Sequence, residues 1–259
     1  MKYKFHIPTQ QYGFLEIEGD SQTDILEAET LYNRYAETKL KFKKGEFIEE
    51  LSLTGEKILY NELTHQYTDL QGNPLLSGSA YKKSLEAPFD VEKMSAMIGE
   101  KNGISPQTIA DMWSMNGKIS TTFGSALHYA MEQWYTHREN GCGEKEYHIA
   151  KHPFLREAVT TFPYLKEKAI PEALVSDVKN RRVGRIDLIV LDGEKKGRII
   201  DYKSDADIKK NLKGHYNQLS FYAHILIAHG WSIPKLEVWN YAGKGWEKFE
   251  SEVLEIIEK

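Results

Sequence analysis

Apolar and polar positions along this chain alternate with two periods, and the switches between them mark its elements. Tyr3–Ile7 and Tyr12–Glu18 alternate imperfectly about Pro-Thr-Gln-Gln, which predicts a short hairpin. Ser21 or Thr23 can cap a helix to about Leu40, with Ile25, Leu26, Ala28, Leu31, Tyr32 and Tyr35 on its apolar side. Residues 1–48 therefore read as a small α+β extension ahead of a larger domain over residues 49–259. Lys57–Tyr60 and His65–Thr68 predict a second hairpin, and Asp69–Pro74 a loop with strong breakers. Asp90 caps a predicted helix to about Gly99. Ser105-Pro106-Gln107 starts another that runs to Asn116-Gly117. Thr122 opens a third, with Phe123, Leu127, Met131 and Trp134 as its stripe. Gly141–Pro163 reads as loop with a helix near Phe154–Phe162, and His148 and His152 within it as surface residues.

Beyond residue 168 the period shortens to two. Ala169–Val178 reads as a strand carrying Glu172. Val183–Leu191 and Arg198–Lys203 flank a Gly-rich charged turn, the pattern of an antiparallel hairpin. A helix from about His215 to His229 ends at Gly230. Lys235–Tyr241 predicts a strand, Gly243–Gly245 a turn, Trp246–Phe249 its return, and Ser251–Lys259 a terminal helix.

Composition narrows the class. With 259 residues, 41% hydrophobic and 28% charged, the chain has the makings of a sizeable core and is not disordered. No run of 18 apolar residues occurs, so no membrane span is expected. Met1–Gln10 lacks an apolar h-region, so no secretory signal is expected. Cys142 is the single cysteine, which excludes an internal disulfide and an all-cysteine iron–sulfur cluster. A reducing compartment, and with it a cytoplasmic location, follows as the default. The net charge of −4 is unlike that of a strongly basic duplex-binding protein. It leaves a nuclease open, because acids at a metal site count as negative until metal binds. No Gly-x-x-x-x-Gly-Lys-Ser/Thr loop is present, so no nucleotide cofactor is expected. The basic stretches Lys39–Gly45 and Ser77–Lys83, the latter with Lys82 and Lys83, read either as phosphate-contacting edges or as solvated surface.

Candidate chemistry concentrates in the central hairpin. If its loop centres near Glu194, Asp187 lies opposite Asp201, roughly 5 Å away on the same face. Facing like charges are destabilising unless a hard divalent cation bridges them. Lys203 shares a strand face with Asp201. The bland alternative is a solvated face, but Leu188, Ile189, Val190, Ile199 and Ile200 make both strands look buried, where carboxylates need a cation or an ion pair. Gly184 permits close backbone approach. Gly124, His128 and Glu132 recur on one helix face, so an imidazole and a carboxylate can reach one site. Glu172 either faces that site or pairs with Arg181 or Arg185. Gln218 and Tyr222 share a helix face one turn apart.

Four elements now stand in order: Gly124-Ser-Ala-Leu-His128, Gly184-Arg-Ile-Asp187, Asp201-Tyr-Lys203 and Gln218-x-x-x-Tyr222. The set resembles the PD-(D/E)XK nuclease superfamily in its RecB-type exonuclease branch, over about residues 76–242. Ile109–His128, with Trp113, Gly117 and Gly124, is similar to phage exonucleases and the mitochondrial genome-maintenance exonuclease. The resemblance implies an α/β, restriction-endonuclease-like core with a central mixed sheet flanked by helices. It implies a metal-dependent DNA exonuclease acting on single-stranded or end-processed DNA in recombination, repair or phage replication. Its alternatives are a structure-specific endonuclease on the same site, or a nuclease-fold protein that binds without cutting. It further implies that His128, Asp187, Asp201 and the Tyr202 carbonyl ligate Mg²⁺ or Mn²⁺. Lys203 would orient or activate water and offset developing charge, Glu172 and Glu132 would stand in an outer shell, and Gln218 and Tyr222 would position DNA. A recombinase or single-strand-binding protein is the expected partner class besides DNA. The chain lacks the cluster cysteines and helicase of some branch members, so their end-loading and polarity do not transfer.

Overall fold

A strand whose successive residues are all buried must be covered on both faces, and β10 here, Leu236–Tyr241, is buried at every position. The computed structural model describes residues 3–9, 13–19, 47–61, 64–138, 153–163, 165, 167–243 and 245–257. Two compact units make up the chain, Met1–Glu49 with Leu59–Gln66, and Glu50–Ile58 with Tyr67–Lys259. In the first, β1 (Tyr3–Thr9) and β2 (Gly13–Gly19) form the expected antiparallel pair, Tyr3 opposite Gly19. The predicted helix over 21–40 and the basic stretch 39–45 lie outside the described residues, as do His148 and His152. Short strands β3 (Ile48–Leu51), β4 (Lys57–Asn61) and β5 (Gln66–Thr68) follow.

The second unit continues with β6 (Leu76–Ser77), α1 (Gly78–Leu85), α2 (Val91–Asn102), α3 (Pro106–Arg138) and α4 (Pro153–Thr160). Then come β7 (Ala169–Asp177), β8 (Arg182–Gly193), β9 (Lys196–Lys203), α5 (Ile208–Ala228), β10 and β11 (Trp246–Ser251). Six strands form a mixed sheet in the order β11-β10-β9-β8-β6, with β7 also on β8. The pair β9–β10 is parallel, joined by a crossover through α5, and β8–β9, β7–β8 and β10–β11 are antiparallel. Leu219, Phe221, Ala223 and Leu226 of α5 bury one face against Val175, Ile189, Ile199 and Val238. Leu127, Ala130 and Met131 of α3 and Ala158 of α4 bury the other against Leu188, Val190, Ile200, Tyr202 and Trp239. Each large apolar side chain so buried contributes roughly 1.5–3 kcal/mol. This is the central mixed sheet flanked by helices that the resemblance implies.

Three elements depart from expectation. One 33-residue helix, α3, replaces the two predicted about Gly117. A glycine in an exposed helix costs only about 1 kcal/mol, and Thr121 and Thr122 bond back to the carbonyls of Gly117 and Lys118. The helix α5 begins at Ile208, its first turns polar on the solvent side and Ile208 buried. No terminal helix forms over 252–257. Side chains of the core hold that backbone instead: Leu254 N–H donates to Ser220 Oγ, His224 Nε2 donates to the Leu254 carbonyl, and Ile257 N–H donates to the Tyr81 hydroxyl.

Candidate active site

The site forms where β8 loses a neighbour. One edge of β8 carries β7 from Arg182 to Val190. The other is divided: β9 takes Leu188–Gly193 and β6 takes Arg182 and Val183. Among the described residues no strand pairs with 184–187 on that edge. Tyr222 of α5 lies over this junction. A β-carbon at Gly184 would stand 2.1 Å from Tyr222 Cε1, and one at Gly78 2.2 Å from it. The close approach expected at Gly184 is thus made by the protein's own aromatic ring. Gln218 Nε2 donates to the Tyr222 hydroxyl at 3.0 Å. Tyr222 is buried and Gln218 half-buried, so Gln218 is the member of the pair with solvent contact.

Asp187 stands at the edge of the gap. The β8–β9 ladder pairs Val190 with Arg198, Ile189 with Ile199 and Leu188 with Ile200, which sets Asp187 and Asp201 one rung further on. There the ladder ends, and Asp187 Oδ2 accepts the Tyr202 N–H at 2.7 Å. A carboxylate in place of a backbone acceptor parts the two strands. On the β7 side, Pro171 pairs with Leu188 and Ala173 with Ile186, so Glu172 occupies the rung opposite Asp187. Glu172 has φ of 47°, a left-handed value that costs a non-glycine residue about 1–2 kcal/mol. The two-residue alternation slips here in both strands: Ile170 and Ala173 of β7, and Ile186 and Ile189 of β8, pack on the same core. Such a slip re-aims side chains. A row of three acids, Glu172, Asp187 and Asp201, thereby crosses three neighbouring strands.

His128 on α3 lies against the row. Its Nε2 is 2.8 Å from the Tyr202 carbonyl, which can only accept, so Nε2 carries a proton. Its Nδ1 faces Asp187 Oδ1 at 3.4 Å. Lys203 Nζ donates to the same carbonyl at 3.1 Å and pairs with Asp201 Oδ2 at 2.6 Å. The Tyr202 peptide thus ties Asp187, His128 and Lys203 together, while its ring is buried on the far face against Phe162. His128, Glu172 and Asp187 each present a ligand atom, all within 4.8 Å of one another. Glu172 therefore joins the inner group, and its carbonyl accepts from Arg185, whose guanidinium pairs with Glu50 at 2.6 Å. Glu132, one turn beyond His128, is half-buried, and its charge acts on Glu172. Lys82 is half-buried on α1 and Lys83 exposed beside it.

The electrostatics follow from crowding acids in a poorly hydrated place. Burial, then the Asp187 charge, pushes the Glu172 carboxyl up to about 7. Burial also works against the Asp187 anion, but His128, Lys203 and the Tyr202 N–H outweigh it and hold its pKa at about 2. Burial disfavours the imidazolium of His128, yet Asp187 raises its pKa above the ordinary value. Burial likewise disfavours the Lys203 ammonium, and Asp201 and Asp187 more than compensate, so Lys203 is a cation. A cleft of about 420 Å³ opens in front, with Thr121, Gly124 and His128 on one wall and Lys203, Asp205 and Asn211 on the other. One imidazole nitrogen and clustered carboxylate oxygens, with more acid than base among them, fit a divalent cation.

Sequence reasoning missed a second polar chain, Asp205–His215–Lys82, which lies beside the acid row. Its members are far apart in sequence and carry no spacing signal; only the exclusion of a histidine from solvent within α5 marks it.

A model of the PD-(D/E)XK nuclease superfamily matches residues 109–242, just over half of the chain and all of the acid row with His128, Lys203, Gln218 and Tyr222. No curated protein matches the chain.

Proposed function

Because the chain belongs to the PD-(D/E)XK nuclease superfamily, we propose that it is a Mg²⁺- or Mn²⁺-dependent DNA exonuclease of the RecB-type branch. Membership itself supports a metal-dependent nuclease. The observation that carries the proposal is the knot at the Tyr202 peptide, where His128, Asp187 and the Lys203–Asp201 pair converge at the mouth of a cleft. The branch assignment is supported by the four-element motif order.

His128, Glu172 and Asp187 would hold the cation, with Asp201 and the Tyr202 carbonyl close by. A divalent cation supplies Lewis acidity at a phosphoryl oxygen and a lowered pKa for bound water. Lys203, an ammonium fixed by Asp201, places positive charge where the phosphate gains negative charge. Gln218, anchored by Tyr222, offers an amide to the strand passing the cleft. DNA is the proposed substrate, in end processing during recombination, repair or phage replication, with a recombinase or single-strand-binding protein as the proposed partner. No helix of the described residues is long and apolar enough to cross a membrane.

The test is digestion of 5′- and 3′-labelled single- and double-stranded DNA, with and without Mg²⁺ or Mn²⁺, alongside a circular single strand. Metal-dependent release of mononucleotides or short oligonucleotides from linear DNA, with the circle spared, is the expected result. Cutting of the circle would replace the exonuclease reading with an endonuclease. Binding without cutting under any divalent metal would overturn catalysis altogether.

A further inference from the structure

A second cation, Lys82, lies within electrostatic reach of Lys203, and a train of hydrogen-bonded groups aims it. Lys82 passes close over Gly214 of α5, where an added β-carbon would come 3.0 Å from Lys82 Cε. Its Nζ lies 3.2 Å from His215 Nδ1. An ammonium can only donate, so Nδ1 accepts. His215 Nε2 lies 3.0 Å from Asp205 Oδ2, and a carboxylate can only accept, so Nε2 carries the ring's proton. Between these two partners the ring is held in one orientation and is 3% exposed. Asp205 is pinned in turn. Its carboxylate accepts from Asn211 Nδ2 at 3.1 Å, and the side chain of buried Asn240 bonds both its backbone N–H and its carbonyl, at 2.9 and 3.0 Å.

Each link therefore fixes the next, from the sheet outward to one ammonium. As a device for stability alone this is poor, because after burial the Lys203 charge is the largest influence opposing a charged Lys82. The Lys82 and Lys203 ammonium groups act on each other electrostatically, and Asp205, at the other end of the train, lines the cleft with Lys203. Among the described residues His215 takes one of the three N–H donors of Lys82, which leaves two. An anion with several acceptor oxygens satisfies the spare donors.

We propose that Lys82 is a second phosphate clamp of this site, gripping a nucleic-acid backbone phosphate alongside Lys203, and that His215, oriented by Asp205, is the positioning residue that aims it. The proposal deepens the nuclease reading and rests on it.

The experiment measures binding of a labelled single-stranded oligonucleotide by the full chain in EDTA, over roughly 50–200 mM salt. Each phosphate contact to a single strand adds about 0.7 to the slope of log affinity against log salt. Lys82→Met is expected to lower that slope by about 0.7. His215→Gln keeps a donor towards Asp205 but loses the Nδ1 acceptor, and is expected to lower the slope equally although it removes no charge. The double variant should lose no more than either single one. His215→Asn sets an amide oxygen near the Nδ1 position and should restore the slope, an outcome a merely structural histidine would not give. Thermal unfolding accompanies each variant; if His215→Gln does not fold, Lys82→Met and His215→Asn decide. An unchanged slope in Lys82→Met overturns this proposal alone, as do additive losses in the double variant. Absence of salt-dependent DNA binding by the unaltered chain overturns this proposal, and only if labelled DNA also stays uncut with Mg²⁺ or Mn²⁺ does the nuclease reading fall with it.

Discussion

Gly184→Ala should destabilise the protein through Tyr222 and through nothing else. The new methyl would stand 2.1 Å from Tyr222 Cε1, 2.7 Å from Cδ1 and 3.0 Å from Cζ. Carbon atoms in contact prefer about 3.5–4.0 Å, so the ring must retreat by more than an ångström. It has nowhere to go, because Gly78 closes the other approach and Gln218 holds its hydroxyl. Overpacking of this kind costs about 1–3 kcal/mol, and two rigid neighbours put it at the upper end. The control is the same change in a Tyr222→Ala background. Truncating the ring costs about 3–5 kcal/mol by itself, but it empties the space the methyl needs. Gly184→Ala should then be within about 0.5 kcal/mol of neutral, a coupling of more than 1 kcal/mol across the cycle. Urea unfolding followed by tryptophan fluorescence reads all four chains. Equal costs for Gly184→Ala in the two backgrounds, or a single variant as stable as the parent, would refute the steric account.

Removing one member of the Lys203–Asp201 pair leaves a buried charge alone, at a cost of about 3–5 kcal/mol; Lys203→Met should unfold early in urea, and Lys203→Met with Asp201→Asn should recover most of the loss while cleavage stays abolished. Glu172→Gln and His128→Ala should each weaken Mn²⁺ binding at least tenfold by titration calorimetry, with circular dichroism unchanged; full affinity in Glu172→Gln would remove it from the ligand group. Asp205 gives the pH dependence: its hydrogen bond from His215, first among the causes, holds its carboxyl at about 2, below the usual carboxylate range. Its contribution to stability is present above about pH 4 and is lost as pH falls through about 2, so His215→Phe should flatten thermal stability across that acid interval. An unaltered acid limb in that variant would count against the bond.

The hairpin was legible because two strong signals agreed. Gly-rich turn chemistry centred the loop, and the turn narrows in the structure to Glu194 and Lys195 between the strands. A register shift between Leu191 and Gly193 then sets Asp187 and Asp201 on one rung. Tyr222 as a match for Gly184 and Gly78 was less legible, since ring and glycines are separated in sequence and only their fit joins them. Glu172 was readable as a strand residue near the site, but its place in the inner group depends on a left-handed backbone no local pattern announces in a glutamate. The continuous helix across Gly117 and the unformed terminal helix went unread for one reason: tertiary hydrogen bonds and packing outweigh propensities of a kilocalorie or less.

The parted strands explain why the acids are tolerable at all. A continuous β8–β9 ladder would have set Asp187 and Asp201 face to face, two acceptors with no donor between them. Ending the ladder at Leu188 and Ile200 frees the Tyr202 peptide to bond side chains on both its ends. Asp187 gains a backbone donor and His128, and Asp201 gains Lys203, so each acid acquires its own counterpart. Glu172 is left with the excess charge, which is why burial and Asp187 push its carboxyl up rather than down. Binding a cation at that acid would relieve the repulsion the fold leaves in place, and affinity for the cation is strengthened by what the bare chain cannot satisfy. The same divergence opens the cleft in front of Lys203, so the acid cluster and the cleft have one structural origin.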